Sequence, residues 1–166
     1  RIAELNLYDG KADRYFSGSP VPLAEELRTW ALGETEAISS VTYPRERPYY
    51  VELSPEKTLP YELETIEIDT CYNKIFTPEM VAGHWKMASQ SLNSVILSQS
   101  MAIKIFGNAE SAIGKHMTLM RRLNTSPEST PKTGGIVYII QAVMKDIPLN
   151  NSLDFMQNID MLTVND

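Results

Sequence analysis

The side chains best suited to chemistry are two histidines and one cysteine. His84 and His116 are the only histidines, and neither has a second ligand at a spacing that would place two metal ligands on one helix face. A structural or exposed role is therefore predicted for both. Cys71 would need a histidine base and an electropositive setting to act as a nucleophile, but the residues before it are acidic. Neither a metal site nor thiol catalysis is predicted.

Four carboxylates form a further group that could be interpreted as a paired-carboxylate site. They are Glu62, Glu64, Glu67 and Asp69. In "ELETIEIDT" they alternate with apolar residues, which favours the solvent-facing edge of a strand for most of them. The chain also lacks a Gly-x-Ser-x-Gly elbow and a phosphate-binding Gly-Lys-Ser/Thr loop. We therefore predict that the chain is not an enzyme and binds no cofactor of its own.

The composition limits the other function classes. The chain has 166 residues, of which 43% are apolar, and a formal net charge of −6. This charge argues against a nucleic-acid partner, because phosphate binding needs a basic face. No apolar run reaches the roughly 20 residues of a membrane helix. Because the sequence begins at Arg1 within an apparent strand, we expect it to be a piece of a longer protein.

The elements that must position these residues begin with a hairpin and a helix. Residues 1–8 predict a strand that turns at an Asp-Gly pair toward residues 15–16. Pro22 suits the first turn of a helix, and Gly33 suits its end. The predicted apolar stripe of this helix consists of Leu23, Leu27, Trp30 and Ala31.

The next part of the chain predicts strands separated by proline-rich breaks. Residues 37–43 read as a strand, and residues 44–48 interrupt regular structure and mark a candidate boundary. The alternating stretches "YYVELS" and "ELETIEIDT" predict half-exposed antiparallel strands. Thr77, which precedes a Pro-Glu pair, predicts the start of a short helix.

The clearest local pattern lies between Asn93 and Leu119. "SVIL" predicts a strand, Ser98 caps the following helix, and Gly107 ends it. The predicted inner face of this helix consists of Met101, Ala102, Ile105 and Phe106. Residues 115–120 and Ile136–Met144 predict two strands of one hairpin, and residues 121–135 predict a long mobile connection.

These motifs resemble the periplasmic core domain of MacB-like, FtsX-type ABC transporter permeases. That family shows a strand, Ser-x-x-x-Ala-x-x-(Leu/Ile)-Phe-Gly, an acidic turn and then Pro-Ile-Gly-Lys. The matching positions here are Ser98, Ala102, Ile105, Phe106, Gly107 and Gly114, with Ala112 in place of the usual proline. "SPVPLAEELR", "YNKIFTPEMVAGHW" and the segment "YIIQAVMKDIPLNNSLDF", which contains Pro148, resemble further family segments in the family's order. Each motif suggests a structural role more than a reaction.

The resemblance implies an α+β fold with mixed, mainly antiparallel sheets and two small subdomains. Residues 1–48 would be the N-terminal part of a porter-like subdomain, and residues 49–146 a Sabre-like α/β subdomain. Residues 147–166 would return toward the porter-like part, which we expect to be incomplete. The structural motif residues would be Ser98, Ala102, Phe106, Gly107, Gly114 and Pro148.

The resemblance also implies a function. The chain would be a periplasmic domain of a bacterial inner-membrane permease that couples cytoplasmic ATP hydrolysis to export or to mechanical work outside the membrane. Its partners would be its own transmembrane helices, a second permease copy, a cytoplasmic ATPase and a periplasmic adaptor, and ATP would bind only to the ATPase. The alternative is a free extracytoplasmic ligand-binding module with no transport role.

Overall fold

The computed structural model describes residues 6–9, 14–17, 22–30, 33, 37–42, 45–54, 56–91, 93–119, 135–147 and 158–164. The helices in these ranges are α1 (Pro22–Trp30), α2 (Tyr72–Phe76), α3 (Trp85–Gln90) and α4 (Gln99–Phe106), and a 3₁₀ turn lies at Glu110–Ala112. The strands are β1 (Asn6–Asp9), β2 (Arg14–Ser17), β3 (Arg45–Ser54), β4 (Lys57–Ile68), β5 (Met80–Gly83), β6 (Ser94–Ser98), β7 (His116–Leu119), β8 (Ile136–Met144) and β9 (Met161–Val164). Within the same ranges, no helix is long and apolar enough to span a membrane.

Seven of the described strands form one sheet in the order β5-β8-β6-β9-β4-β3-β7. Because β7 also pairs with β8, every strand of this sheet except β5 belongs to a closed ring. β7 and β5 share one edge of β8, where β7 pairs with residues 136–139 and β5 with residues 142–144. The pairs β4–β9 and β6–β8 are parallel, and the other described pairs are antiparallel. The predicted α+β class with a mixed, mainly antiparallel sheet is confirmed.

The ring strands bury apolar side chains on both faces, as their alternation requires. On β6, Val95 and Leu97 join an inner cluster with Ala102 of α4. Ile96, between them, joins an outer cluster that includes Tyr72 of α2. Such two-sided burial explains why "SVILS" is apolar almost throughout rather than alternating.

The N-terminal hairpin and helix form as predicted, but the helix turns a different side toward the protein. β1 and β2 pair antiparallel, with Leu7 opposite Phe16. At about 100° per residue, the half-buried side of α1 is one continuous arc, and Trp30 lies outside it with 82% of its surface exposed. That arc consists of Leu23, Ala24, Leu27 and Arg28. The predicted stripe is therefore wrong at Trp30, whose place on the buried side is taken by Arg28.

The predicted strand at residues 37–43 is also wrong. Residues 37–42 belong to no helix or strand and form a single bridge, between Val41 and Ile68. Side chains replace part of the ladder, because the backbone N–H of Ser40 donates to Asp69 Oδ2 at 2.6 Å and the N–H of Glu67 donates to Thr42 Oγ1 at 2.8 Å. Periodicity in the sequence does not distinguish such side-chain pairing from a regular strand.

The predicted break at residues 44–48 is wrong, because β3 already begins at Arg45. Pro48 lies opposite Glu62 of β4. The other neighbour of β3, β7, pairs only with residues 49–51. In the described part of the chain Pro48 thus has a paired strand on one side only, and such an edge position tolerates a residue without an N–H.

The predicted helix start at Thr77 is wrong as well. Thr77 instead ends α2, in the left-handed conformation with φ 39° and ψ 57°. The preceding residues form the helix because Tyr72 stacks on Phe76 at a centroid distance of 4.5 Å and on Trp85 of α3 at 6.2 Å. Tertiary contacts override the Thr-Pro-Glu start signal here.

The predicted hairpin of β7 and β8 is present, with Leu119 opposite Ile136. Of the connection predicted at residues 121–135, only Gly135 lies within the described residues, so its mobility stays a prediction. The bounds of the predicted subdomains also stay predictions. β9, from the segment 147–166, pairs with both β4 and β6 of the segment 49–146.

Candidate functional site

The residues singled out for chemistry do not converge on a reaction centre. His84 and His116 are exposed, and Cys71 is a half-buried free thiol. Among the residues that the structure describes, no group of three or more His, Cys, Asp or Glu side chains could hold a metal ion.

The four carboxylates singled out in the sequence have different surroundings. Glu62 is exposed, whereas Glu67 binds Arg47 of β3 at 2.6 Å. Glu64 is half-buried and lies opposite Glu46; burial, and then the charges of Glu46 and Asp160, raise the pKa of its carboxyl. The predicted exposure to solvent is therefore correct for Glu62 but not for Asp69, which is buried.

Asp69 is nearly buried, with 9% of its surface exposed. Its carboxylate accepts hydrogen bonds from the Arg28 guanidinium, Ser39 Oγ at 2.9 Å, and the backbone N–H groups of Ser40 and Cys71 at 2.6 and 2.9 Å. Such a buried carboxylate needs several donors to offset its desolvation. Sequence reasoning missed this network, because its members lie in separate segments; its only local sign is an aspartate where the strand pattern ends.

The capping predicted for Ser98 is present. Ser98 is extended, and its Oγ accepts the N–H of Met101 at 3.3 Å. Asp146, which follows β8, adds a second cap, because its Oδ1 accepts the N–H of Ser100 at 3.0 Å. The motif segments around Ser98 and "KDIP" therefore meet at the N-terminus of α4. Pro148 itself lies outside the described residues.

The remaining motif residues fix the shape of the chain around α4. Ala102 is fully buried in the inner cluster, whereas Phe106 is half-buried against it. Gly107 ends α4 with φ 86° and donates its N–H to the carbonyl of Ile103 at 2.9 Å. Gly114 has φ 79° and donates to the carbonyl of Ile140 at 2.8 Å. Positive φ values suit glycine at both turns.

A further glycine is required by close approach of two backbones. Gly83, the last residue of β5, has φ 69°. A Cβ at this position would overlap the carbonyl oxygen of Gln141 and lie 2.8 Å from the Cα of Ala142. Gly83 lies within the family segment "YNKIFTPEMVAGHW". The sequence pattern did not indicate that close contact with β8 requires a glycine at this position.

A cavity of about 270 Å³ lies beside the capped end of α4. It is lined by Ser100, Asp146, Ile147, Asn158, Ile159 and Asp160. Burial raises the pKa of the Asp160 carboxyl, although its hydrogen bond from the N–H of Glu64 acts in the opposite direction. Both carboxylates in this cavity are already hydrogen-bonded to backbone N–H groups, so they act as structural acceptors.

A second polar group lies inside the ring. Tyr49 and Tyr138 form an edge-to-face pair with centroids 6.1 Å apart. The buried hydroxyl of Tyr49 has no hydrogen-bond partner in the described part of the chain, and burial raises its pKa to about 12. Both tyrosines belong to the inner apolar cluster. We therefore interpret this pair as part of the hydrophobic core.

The comparisons with known proteins agree with this structural reading. The sequence gives no significant match to a protein-family model or to a curated protein. The fold is similar to a solved domain described as part of a permease protein from Porphyromonas gingivalis, with a TM-score of 0.65 and 20% sequence identity over 92% of this chain and 55% of that one. It is also similar to the periplasmic region of MacB from Actinobacillus actinomycetemcomitans, with a TM-score of 0.53 and 16% identity over 95% of this chain and 61% of that one.

The chain therefore spans between 55% and 61% of the length of these solved domains. At such identities the likeness concerns the fold, and it extends over nearly all of the present chain. The resemblance predicted from the motifs is confirmed at this level: the chain has the fold of the extracytoplasmic domains of MacB-like ABC transporter permeases.

Proposed function

We propose that this chain is the periplasmic domain of a bacterial inner-membrane ABC transporter permease. It would couple ATP hydrolysis in the cytoplasm to export of a substrate or to mechanical work outside the membrane. The observation that carries the proposal is the fold match over 92% and 95% of the chain to a permease domain and to the periplasmic region of MacB. The ordered motifs around Ser98 and Gly114 support it independently of the fold.

The structure suits a domain that moves as a rigid body. A ring of strands with apolar clusters on both faces of β6 resists deformation, because a close-packed core has low compressibility. Rigid-body rotation of such a unit is a common way to transmit a conformational change. The partners would be the permease's own membrane helices, a second permease copy and a cytoplasmic ATPase, with a periplasmic adaptor as a further candidate.

We also propose that the domain carries no catalytic activity and that ATP binds only to the ATPase. Of the four carboxylates considered as a reactive group, Glu67 and Asp69 bind structural partners and Glu62 is exposed. The fourth, Glu64, lies opposite Glu46 of the neighbouring strand. The cavity beside α4, at about 270 Å³, falls below the 300–1,000 Å³ usual for small-molecule sites. This small volume argues against small-molecule binding at the capped end of α4.

The experiment uses the full-length protein that contains this chain, reconstituted with its ATPase. A Lys86→Cys substitution in a Cys71→Ser background places one spin label on the exposed surface of α3 in each copy. We expect the distance between the two labels to change when ATP and vanadate trap the ATPase. A Cys71→Ser sample that keeps Lys86 and is treated with the same spin-label reagent serves as the control for non-specific labelling.

A cysteine cross-link between the two domains completes the test. Cross-linked domains should slow ATP hydrolysis, and a reducing agent should restore the rate. An unchanged label distance together with an unchanged hydrolysis rate in the cross-linked protein would rule out the coupling role. A full-length protein with a signal peptide and no hydrophobic span would then point to the free module.

A further inference from the structure

Helix α1 rests on the ring through a polar contact. The Arg28 guanidinium binds Asp69, which directly follows β4, and the Arg28 Nε donates to the carbonyl of Ile38 at 3.0 Å. Trp30, which would extend the apolar stripe of the helix, is 82% exposed. The Arg28–Asp69 pair therefore ties α1 to the residue that follows β4.

Asp69 collects four donors from three places in the chain. Arg28 comes from α1, Ser39 and Ser40 come from the extended segment 37–42, and the N–H of Cys71 comes from the residue before α2. Hydrogen bonds to a carboxylate are short and directional. They hold the three segments in one orientation, whereas purely apolar contacts permit small sliding movements.

The network continues into the packed part of the molecule. Asp69 directly follows β4, whose last residue, Ile68, pairs with Val41 and belongs to the outer apolar cluster. On its other side the chain enters α2, where Tyr72 stacks against Trp85 of α3. A displacement of α1 is thus passed through one carboxylate to β4, α2 and α3.

We propose that Asp69 is the joint that makes α1 and the strand ring one rigid body, and that Arg28 is the connection by which α1 drives the ring. This proposal rests on the proposed function, because it assigns the path of the movement within the domain. Asp69 and Arg28 are positioning residues and touch no substrate. The joint is a polar contact, so its strength depends on the pairing of these two side chains.

Arg28→Ala is the most selective test. The carboxylate of Asp69 keeps its bonds from Ser39, Ser40 and Cys71, so the ring should stay folded while α1 loses its hydrogen bonds to Asp69 and Ile38. A nine-residue helix is marginal by itself in water, so undocking should expose its amides. Arg28→Lys, which keeps the charge but lacks the forked guanidinium, should have an intermediate effect.

Arg47→Ala is the matched control. Arg47 also binds a carboxylate, Glu67, and its side chain is 25% exposed, compared with 33% for Arg28. This pair joins β3 to β4 within the ring, so its loss should leave α1 unaffected.

The first measurement is hydrogen–deuterium exchange on the full-length protein. We expect amide exchange in α1 to become about tenfold faster in Arg28→Ala, with exchange in β6 and β8 unchanged, and no change in α1 for Arg47→Ala. Unchanged protection of the α1 amides from exchange in both Arg28→Ala and Asp69→Asn would contradict the proposed joint. Equal acceleration in α1 and in β6 would show general destabilisation and would overturn it too.

The second measurement is the spin-label distance at Lys86 described above. With Arg28→Ala, trapping with ATP and vanadate should no longer shift this distance, whereas Arg47→Ala should keep the shift. A retained shift would overturn the role of Arg28 in driving the ring. If the unmodified protein shows no shift, the proposed function fails, while hydrogen exchange still decides whether the joint exists.

Discussion

Ser98 and Asp146 cap the same end of helix α4 from two different strands of the ring. Ser98 Oγ accepts the N–H of Met101 at 3.3 Å, and Asp146 Oδ1 accepts the N–H of Ser100 at 3.0 Å. Ser98 ends β6 and Asp146 follows β8, and these two strands pair in parallel. Their carboxyl ends therefore lie at the same edge of the sheet, where both can reach the first turn of the helix.

Replacing either cap should weaken the fold by a similar amount. Ser98→Ala and Asp146→Ala should each lower the free energy of unfolding by about 1 kcal/mol, because each leaves one N–H of the helix start without its acceptor. Chemical denaturation of the chain measures the effect. Ser111→Ala, at an exposed position of the 3₁₀ turn, is the control. A loss for Asp146→Ala no larger than for this control would contradict the second cap.

Gly83→Ala should be much more damaging than Gly107→Ala. Both glycines have positive φ, so both substitutions pay the left-handed penalty of about 1 kcal/mol. Around Gly107 a Cβ has free space, whereas at Gly83 it would overlap the backbone of Gln141. We expect Gly83→Ala to cost at least twice as much as Gly107→Ala in thermal or denaturant unfolding. Equal losses would indicate that β5 can move away from β8 at little cost.

The burial of the α4 side chains predicts an order of stability losses that differs from the order of side-chain size. Ile105 is 8% exposed and Phe106 is half-buried, so Ile105→Ala should cost about 2–5 kcal/mol. Phe106→Ala should cost less than that, despite the larger side chain. Ile103→Ala, at a half-exposed position on the opposite side, should change stability by no more than about 0.5 kcal/mol. A larger loss for Phe106→Ala than for Ile105→Ala would show that the helix is rotated about its axis.

Tyr49 should make the fold sensitive to alkaline pH. Burial raises its pKa from 10.0 to about 12 in the folded protein, so between these values the unfolded chain has lost the proton while the folded chain keeps it. Stability should therefore fall as the pH rises through this window, by at most about 1.4 kcal/mol per pH unit for one group. Tyr49→Phe should reduce this slope when unfolding is measured from pH 9 to 12.

At neutral pH the same substitution should be nearly neutral or stabilising. It removes a buried hydroxyl for which the described residues provide no partner. Tyr61→Phe, at a half-buried position opposite Tyr49 on β4, is a suitable control, since the side chain of Tyr61 is less buried than that of Tyr49. A loss above about 1 kcal/mol for Tyr49→Phe would show that the hydroxyl makes a hydrogen bond, for which Thr65 is the described candidate.

Elements with strong local signals could be predicted from the sequence. The strand–helix–glycine pattern from Ser94 to Gly107 contains its own start and stop signals, because a serine cap and a left-handed glycine act on neighbouring backbone groups. The N-terminal Asp-Gly hairpin was predictable for the same reason. The β7–β8 pairing was predictable because two strand patterns follow each other directly in the chain. The order of such motifs along the chain was also sufficient to indicate the fold.

The predictions were wrong where contacts with distant residues decide the local structure. Residues 37–42 have the composition of a strand, yet Ser39 and Ser40 bond to the side chain of Asp69, and Thr42 uses both its backbone and its side chain to bond Glu67 of β4. Thr77 has a helix-start sequence, yet the stacking of Tyr72 on Trp85 places the helix before it. Neither contact is encoded in the neighbouring residues.

The sequence by itself determined the type of most elements, the caps and turns around α4, and the family whose fold the chain shares. These features depend on backbone geometry and side-chain periodicity, which act over a few residues. The tertiary structure decided the closure of the ring, the side of α1 that faces it and the four donors gathered by Asp69. Those depend on pairing between segments far apart in the chain, and no local pattern specifies which distant partner a buried carboxylate or a strand edge will meet.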